Sequence, residues 1–166
     1  MLTKEEVKRM STNAKGFFAE NRAKKALISE GYSVTKITED KACNDFIIQK
    51  EGVKSVAEIK GAVDFGYTKF FCEVAQKRAE DILWDTSFWL GQEIDRFLYY
   101  SFSEDTTYLY DGKLFKAKTF EMMEKNRETK VLFNISADTG RGFTFDKEDK
   151  EMGYLGKMKH ITATII

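Results

Sequence analysis

Asp45, Glu58 and Lys60 place two carboxylates and an ammonium within one short stretch, NDFIIQKEGVKSVAEIKG. Two carboxylates brought close together repel unless a proton or a cation lies between them. Ligands that are all oxygen select a hard ion, with magnesium first and manganese as its substitute. Such an ion binds a phosphate oxygen, activates water and stabilises charge building up on phosphorus. Lys60 beside it adds a fixed point charge that orients the attacking water or steadies the transition state. The chemistry suggested is metal-assisted attack of water at phosphorus.

That chemistry needs elements that bring the three together. Alternate side chains of a strand share a face, so Glu58 and Lys60 point one way while Ala57 and Ile59 point into the opposite layer. DFIIQ and VKSVAEI flank the turn signal Lys50, Glu51, Gly52, which predicts a hairpin. With its two strands adjacent, Asp45 falls beside Glu58. The tripeptide Glu-x-Lys is unspecific by itself: Glu6 to Lys8, Glu39 to Lys41, Glu128 to Lys130 and Glu148 to Lys150 match equally well. Only Glu58 to Lys60 ends an apolar β-run and follows, across a hairpin, a second β-run that opens with Asp. The plain alternative is a solvated strand face carrying a cross-strand salt bridge. Context and order favour a site.

Around this hairpin, Thr3 and Glu6 have capping-box spacing, which starts a helix near Lys4. Helical spacing then runs from Ala14 to Glu30, with Phe17, Ala23, Leu27 and Ile28 as apolar surface and Gly31 as the stop. YSVTKI and KFFCEVAQ read as strands, separated from the hairpin by TEDKACN and GAVDFGYT. RAEDILWDTSFWLGQEI reads as irregular structure or short helix. RFLYYSF and TTYLY are strands, and Asp111 with Gly112 predicts a tight turn into a further strand, KLFKA. Thr119 is placed to cap a short helix, FEMMEKNR. The tail, from KVLFNIS through RGFTFD to HITATII, is strand-like. A helix followed by a meander of strands is an α/β arrangement.

The 166 residues, 42% of them hydrophobic, suit one compact domain. With 27 basic and 27 acidic residues the formal net charge is zero, so long-range attraction to nucleic acid or to anionic membranes is absent and any basic surface is local. Local groupings are Lys24 and Lys25; Lys69, Lys77 and Arg78; and Arg141, Lys147, Lys157 and Lys159. The residues near the hairpin are placed to contact phosphates without reading sequence. MLTKEEVKRM has no signal-peptide pattern and no stretch approaches a membrane span, so a cytoplasmic protein with no membrane partner is expected. Cys43 and Cys72 are then reduced. With no CxxC pair and a single histidine, His160, the sequence argues against a thiolate and imidazole zinc site, and His160 is expected at the surface. Trp84 and Trp89 are read as core aromatics before base-stacking groups. No helix-turn-helix or zinc-finger module is visible.

Asp45 before an apolar strand, then Glu58, Ile59 and Lys60 ending the next, behind a helix with an internal glutamate, resembles the PD-(D/E)xK nuclease superfamily over roughly the first half of the chain. The family's proline before the Asp is Asn44 here. The resemblance implies a restriction-endonuclease-like core: an N-terminal helix packed on a mixed central β-sheet, with additional C-terminal strands. It implies one domain over residues 1–166, with a core to about residue 110 and a strand-rich extension over 111–166. Its metal ligands map onto Asp45, Glu58 and the carbonyl of Ile59, its lysine onto Lys60, and its helix glutamate onto Glu20, for which pairing with Lys24 is the even alternative. A further acid or glutamine after the lysine falls on Glu73 or Gln76. The activity implied is that of a magnesium-dependent nuclease, manganese substituting, acting most often on DNA as an endonuclease in repair, recombination or junction resolution, or as a phage-encoded or defence nuclease, compatible with a homodimer. The rival is the same fold without catalysis, gripping nucleic acid or a protein partner.

Overall fold

A computed structural model describes residues 1–36, 46–76, 85–129, 134–136 and 140–160. Its helices are α1 (Lys4–Lys8), α2 (Thr12–Ser29) and α3 (Gly112–Thr129). Its strands are β1 (Ser33–Lys36), β2 (Phe46–Lys50), β3 (Val53–Ala62), β4 (Lys69–Gln76), β5 (Asp85–Thr86), β6 (Arg96–Ser101), β7 (Thr106–Asp111), β8 (Asn134–Ser136), β9 (Gly140–Asp146) and β10 (Tyr154–Lys159). Asp45, Cys43, Lys77, Arg78, Trp84 and the segment after His160 lie outside the described residues.

The N-terminal capping box forms as its spacing predicts: Thr3 N–H donates to Glu6 Oε2 at 2.8 Å and Glu6 N–H to Thr3 Oγ1 at 3.2 Å. α2 starts at Thr12, ahead of the expected Ala14, because the Ser11 hydroxyl accepts the Ala14 N–H at 3.2 Å. Its buried line also differs from expectation. Phe17 is 66% exposed and Ile28 is exposed too, while Ala19, Ala23, Ala26 and Leu27 are buried. Small side chains let the helix approach the sheet closely; a Cβ added to Gly61 of β3 would come within 2.8 Å of Ala19 Cβ.

β2 and β3 form the expected antiparallel hairpin, with Phe46 opposite Ala57 and Lys50 opposite Val53. Glu51 and Gly52 turn it with φ of 51° and 78°, the doubly positive pattern of a two-residue loop that matches strand twist. β3 then pairs in parallel with β6, and the six-stranded mixed sheet runs β1-β2-β3-β6-β7-β10. A second, antiparallel sheet runs β5-β4-β9-β8. Asp95 starts β6 against β3 by donating its N–H to the Val56 carbonyl and accepting the Val56 N–H, both at 2.9 Å.

The expected KLFKA strand and the short helix capped by Thr119 are instead one helix, α3. Asp111 does not open a hairpin turn; its Oδ1 accepts the N–H groups of Lys113 and Leu114 at 3.0 Å, as an N-cap does. Thr119 lies inside α3, buried, with its hydroxyl donating to the Phe115 carbonyl at 2.8 Å. Within the segment expected to be irregular or a short helix, residues 85–91 form β5 followed by a 3-10 helix over Phe88–Gly91.

α2 covers one face of the large sheet, where Ala23 and Leu27 meet Phe46, Ile48, Ala57, Ile59 and Leu98. The opposite face presents Phe97, Tyr99, Tyr108 and Tyr110 to Phe70, Cys72, Phe143 and Phe145 of the second sheet and to Phe115 of α3. Trp89 belongs to this second core, as expected, with its ring 5.0 Å from that of Phe97. Cys72 is a buried free thiol whose pKa burial pushes up to about 12. Among the described residues no helix is long and apolar enough to cross a membrane.

Candidate active site

The alternation of β3 decides what faces what. Ala57 and Ile59 enter the core under α2, so Glu58 and Lys60 project from the other face, as the pattern predicts. In the parallel register Glu58 lies opposite Phe97 and Lys60 opposite Tyr99. Glu58 is thereby drawn into the interior, with its side chain 4% exposed, while Lys60 reaches outward at 41%. Lys60 Nζ donates to Glu58 Oε1 at 2.9 Å. On the hairpin partner, the first described residue is Phe46, paired with Ala57, next to Glu58 in the chain; Asp45 is the residue before it.

Glu20, on α2, is mostly enclosed and pairs with Lys36 at the end of β1 at 3.6 Å; the expected alternative partner was Lys24. Burial raises the pKa of its carboxyl; the Lys36 charge opposes this, the Glu58 charge adds to it and the Lys60 charge again opposes. The structure therefore brings Glu20 within the electrostatic reach of the Glu58 and Lys60 pair, although it arrives from the helix layer. Glu73, on β4 of the second sheet, is exposed. Its pKa is also raised, chiefly by the protein around it, with the Lys60 charge holding it down. Lys60 is thus the cation whose field both outer acids feel. Gln76 ends β4 opposite Gly140. Among the described residues no three acidic, histidine or cysteine side chains gather closely enough to hold a metal.

No protein-family model and no curated protein matches the chain. The fold is similar to that of a bacterial homing endonuclease, I-Ssp6803I. The likeness covers 65% of this chain and 74% of that one, with a TM-score of 0.54 and 19% identity. At that identity the likeness speaks for the fold alone: a mixed sheet with helices.

Several basic residues are already engaged. Lys147 donates to Asp64 at 2.7 Å and to Glu104 at 2.6 Å, and Lys157 to Glu148 at 2.8 Å. His160 is half-buried, its ring 5.8 Å from that of Tyr100 and its Nε2 3.4 Å from Thr107 Oγ1. Burial lowers its pKa, with Asp105 opposing. The residues that sequence reasoning passed over are Lys36, Asp64 and Asp105. Asp105 takes a bidentate Arg22 at 3.2 and 2.8 Å, joining α2 to the β6–β7 turn. Polar residues at scattered sequence positions carry no periodic signal, so only Lys36, at the end of a predicted strand, was open to discovery.

Proposed function

We propose that the protein is a divalent-metal-dependent endonuclease of PD-(D/E)xK type that hydrolyses phosphodiester bonds in DNA. The observation that carries this is the Glu58 and Lys60 pair. A buried carboxylate, held at 2.9 Å by a solvent-reaching ammonium, sits at the open end of the hairpin strand, in a fold similar to that of a homing endonuclease.

The donors suit a hard ion. Glu58 and Glu20 offer only oxygen, and the raised pKa of Glu20 reflects, after burial, repulsion from Glu58 that a divalent cation relieves. Asp45, Glu58 and the Ile59 carbonyl are the proposed ligands, with Glu20 as an outer member and Glu73 as a weaker one. Magnesium, when bound, supplies positive charge against the phosphate, and manganese can replace it. Lys60 keeps its ammonium at the mouth of the site, where it orients the water and offsets charge on the phosphoryl oxygens. One site cuts one strand, so cleavage of a duplex through both strands calls for a second copy, and a homodimer belongs to the proposal.

A second reading has its own support. Glu58 is answered by Lys60 and Glu20 by Lys36, as in a site that has closed on itself and serves a nucleic-acid-binding module without catalysis. Incubation of plasmid, linear and branched DNA with magnesium, manganese or a chelator, beside Lys60→Ala, separates the two. Chelator-sensitive cleavage that Lys60→Ala abolishes supports the nuclease. Binding without cleavage of any of these substrates by the intact protein overturns it in favour of the binder.

A further inference from the structure

We propose that Tyr67 stacks on a nucleotide of bound DNA, so that the loop of residues 63–68, which continues β3 beyond Lys60, is a preorganised binding element. The choice of DNA as ligand rests on the nuclease reading above. Tyr67 itself is singled out by its setting. Among the described residues Tyr99, Tyr100, Tyr108 and Tyr110 are buried and Tyr32 and Tyr154 half-buried, whereas Tyr67 is 71% exposed.

An exposed ring on a floppy loop would mean little, but this loop is fixed. Asp64, 4% exposed, accepts the Ser101 hydroxyl at 2.5 Å, the Ser103 N–H at 2.9 Å and the Lys147 ammonium at 2.7 Å. Phe65 points inward, against the cluster of Val7, Ala19, Tyr100 and Phe102. The Tyr67 N–H then donates to the Asp64 carbonyl at 3.0 Å, and Gly66, with φ of 82°, makes the turn that delivers the next residue outward. Asp64 and Phe65 anchor the chain before Tyr67 and the fully buried Phe70 of β4 anchors it after, which leaves the Tyr67 ring in water. A ring held on a rigid support loses little conformational freedom when it binds, which is the condition under which one aromatic contributes most.

The position fits a nucleotide near the cleaved bond. The loop begins three residues after Lys60, roughly 10 Å of extended chain. Val63, the first residue of the loop, is also exposed, and Lys69, just past its far end, is held only loosely, 3.9 Å from Asp146, so it is available to a phosphate. An aromatic ring on a short loop that also carries an exposed apolar side chain and ends at a cation offers groups complementary to a base, its sugar and its phosphate.

The test measures binding and cleavage separately. Fluorescence anisotropy of a labelled duplex and of a labelled single strand, with calcium in place of magnesium and at one salt concentration, gives Kd for the intact protein, Tyr67→Ala and Tyr67→Phe. Loss of the ring is expected to weaken binding roughly tenfold to a hundredfold on at least one of the two ligands. Tyr67→Phe should bind like the intact protein, and both variants should keep its melting temperature. Equal affinity of Tyr67→Ala and the intact protein overturns the proposal, as does a Tyr67→Phe as weak as Tyr67→Ala, or no binding by the intact protein. Ring-dependent binding with no cleavage in magnesium supports this inference and sinks the nuclease reading, whereas cleavage with unchanged Tyr67→Ala affinity does the reverse.

Discussion

Lys60 and Glu58 stand two residues apart on one face of β3, with Nζ 2.9 Å from Oε1, and only the lysine reaches solvent. The pair explains how a carboxylate can sit in the wall of an aromatic core. Removing the cation leaves Glu58 enclosed and unanswered, which is the costly way to break a buried pair, although solvent around Lys60 softens the loss. We expect Lys60→Ala to lower stability by about 1 kcal/mol and DNA cleavage by about two to three orders of magnitude. Adding Glu58→Gln to Lys60→Ala should return the stability and leave activity absent. Urea denaturation beside plasmid nicking reads both; a double variant no more stable than Lys60→Ala would show that Lys60 does not offset the Glu58 charge.

Glu20 provides a pH test. Burial, followed by the Glu58 charge, holds its pKa above 4.5 against Lys36 and Lys60. An acid with a raised folded pKa keeps its proton longer in the folded state. Stability therefore falls as pH rises through the ordinary carboxylate range, and the penalty stays constant above the folded pKa. Without metal, Glu20→Gln should melt higher than the intact protein at neutral pH and converge with it below the ordinary carboxylate pKa. Magnesium should raise the melting temperature of the intact protein more than that of Glu20→Gln. Parallel melting curves across pH would show that the fold does not raise the Glu20 pKa, and equal responses to magnesium would remove Glu20 from the metal site.

Much of the hairpin was legible because it combines strand alternation with a turn signal. The hairpin DFIIQKEGVKSVAEI carries strand alternation and a positive-φ turn, so β2, β3 and the shared face of Glu58 and Lys60 follow from the sequence. KFFCEVAQ coincides with β4 for the same reason. The failures have physical causes. Asp111 and Gly112 suit a hairpin turn and a helix N-terminus alike, and the choice fell to Phe115 and Thr119, which enter the core one helical turn apart. Phe17 looked like core because it is large; the close approach of α2 to Gly61 needs alanines instead. Asp64, Ser101 and Lys147 meet only through tertiary folding, across 37 and 83 positions of sequence, and no local pattern announces them.

That close approach makes Gly61 a sensitive position beside Lys60. A Cβ there would lie 2.8 Å from Ala19 Cβ and 3.1 Å from the Phe102 ring, and α2 or β3 has to give way. We expect Gly61→Ala to cost about 1–3 kcal/mol and to reduce cleavage beyond what the lost folded fraction explains, because the strand that shifts carries Glu58 and Lys60. Adding Ala19→Gly should recover part of both. The cycle of the two single variants and the double variant, read by denaturation, should give a coupling above about 0.5 kcal/mol; additive effects would mean that the two positions do not touch.

Lys147 and Asp64 couple the second sheet to the end of β3, and their contact is the more enclosed of the two ion pairs that Lys147 makes. Burial pulls the Lys147 pKa down, yet its hydrogen bonds to Asp64 and Glu104 hold it above the usual lysine value. Lys147→Met keeps the length of the side chain but loses the ammonium that lies 4.9 Å from the centre of the Phe70 ring and strands the Asp64 carboxylate, which keeps Ser101 and the Ser103 N–H as partners. We expect a loss of about 3 kcal/mol from that single change. Asp64→Asn in the same chain removes the stranded charge and keeps the shape, so the double variant should lie closer to the intact protein than Lys147→Met does. Glu104 is partly in water and needs no such rescue. Denaturation of the four proteins measures the coupling directly. Since Asp64 also anchors the loop that carries Tyr67, Lys147→Met should weaken DNA binding at temperatures where the protein is still fully folded, and unchanged affinity there would show that the loop keeps its shape without this lysine.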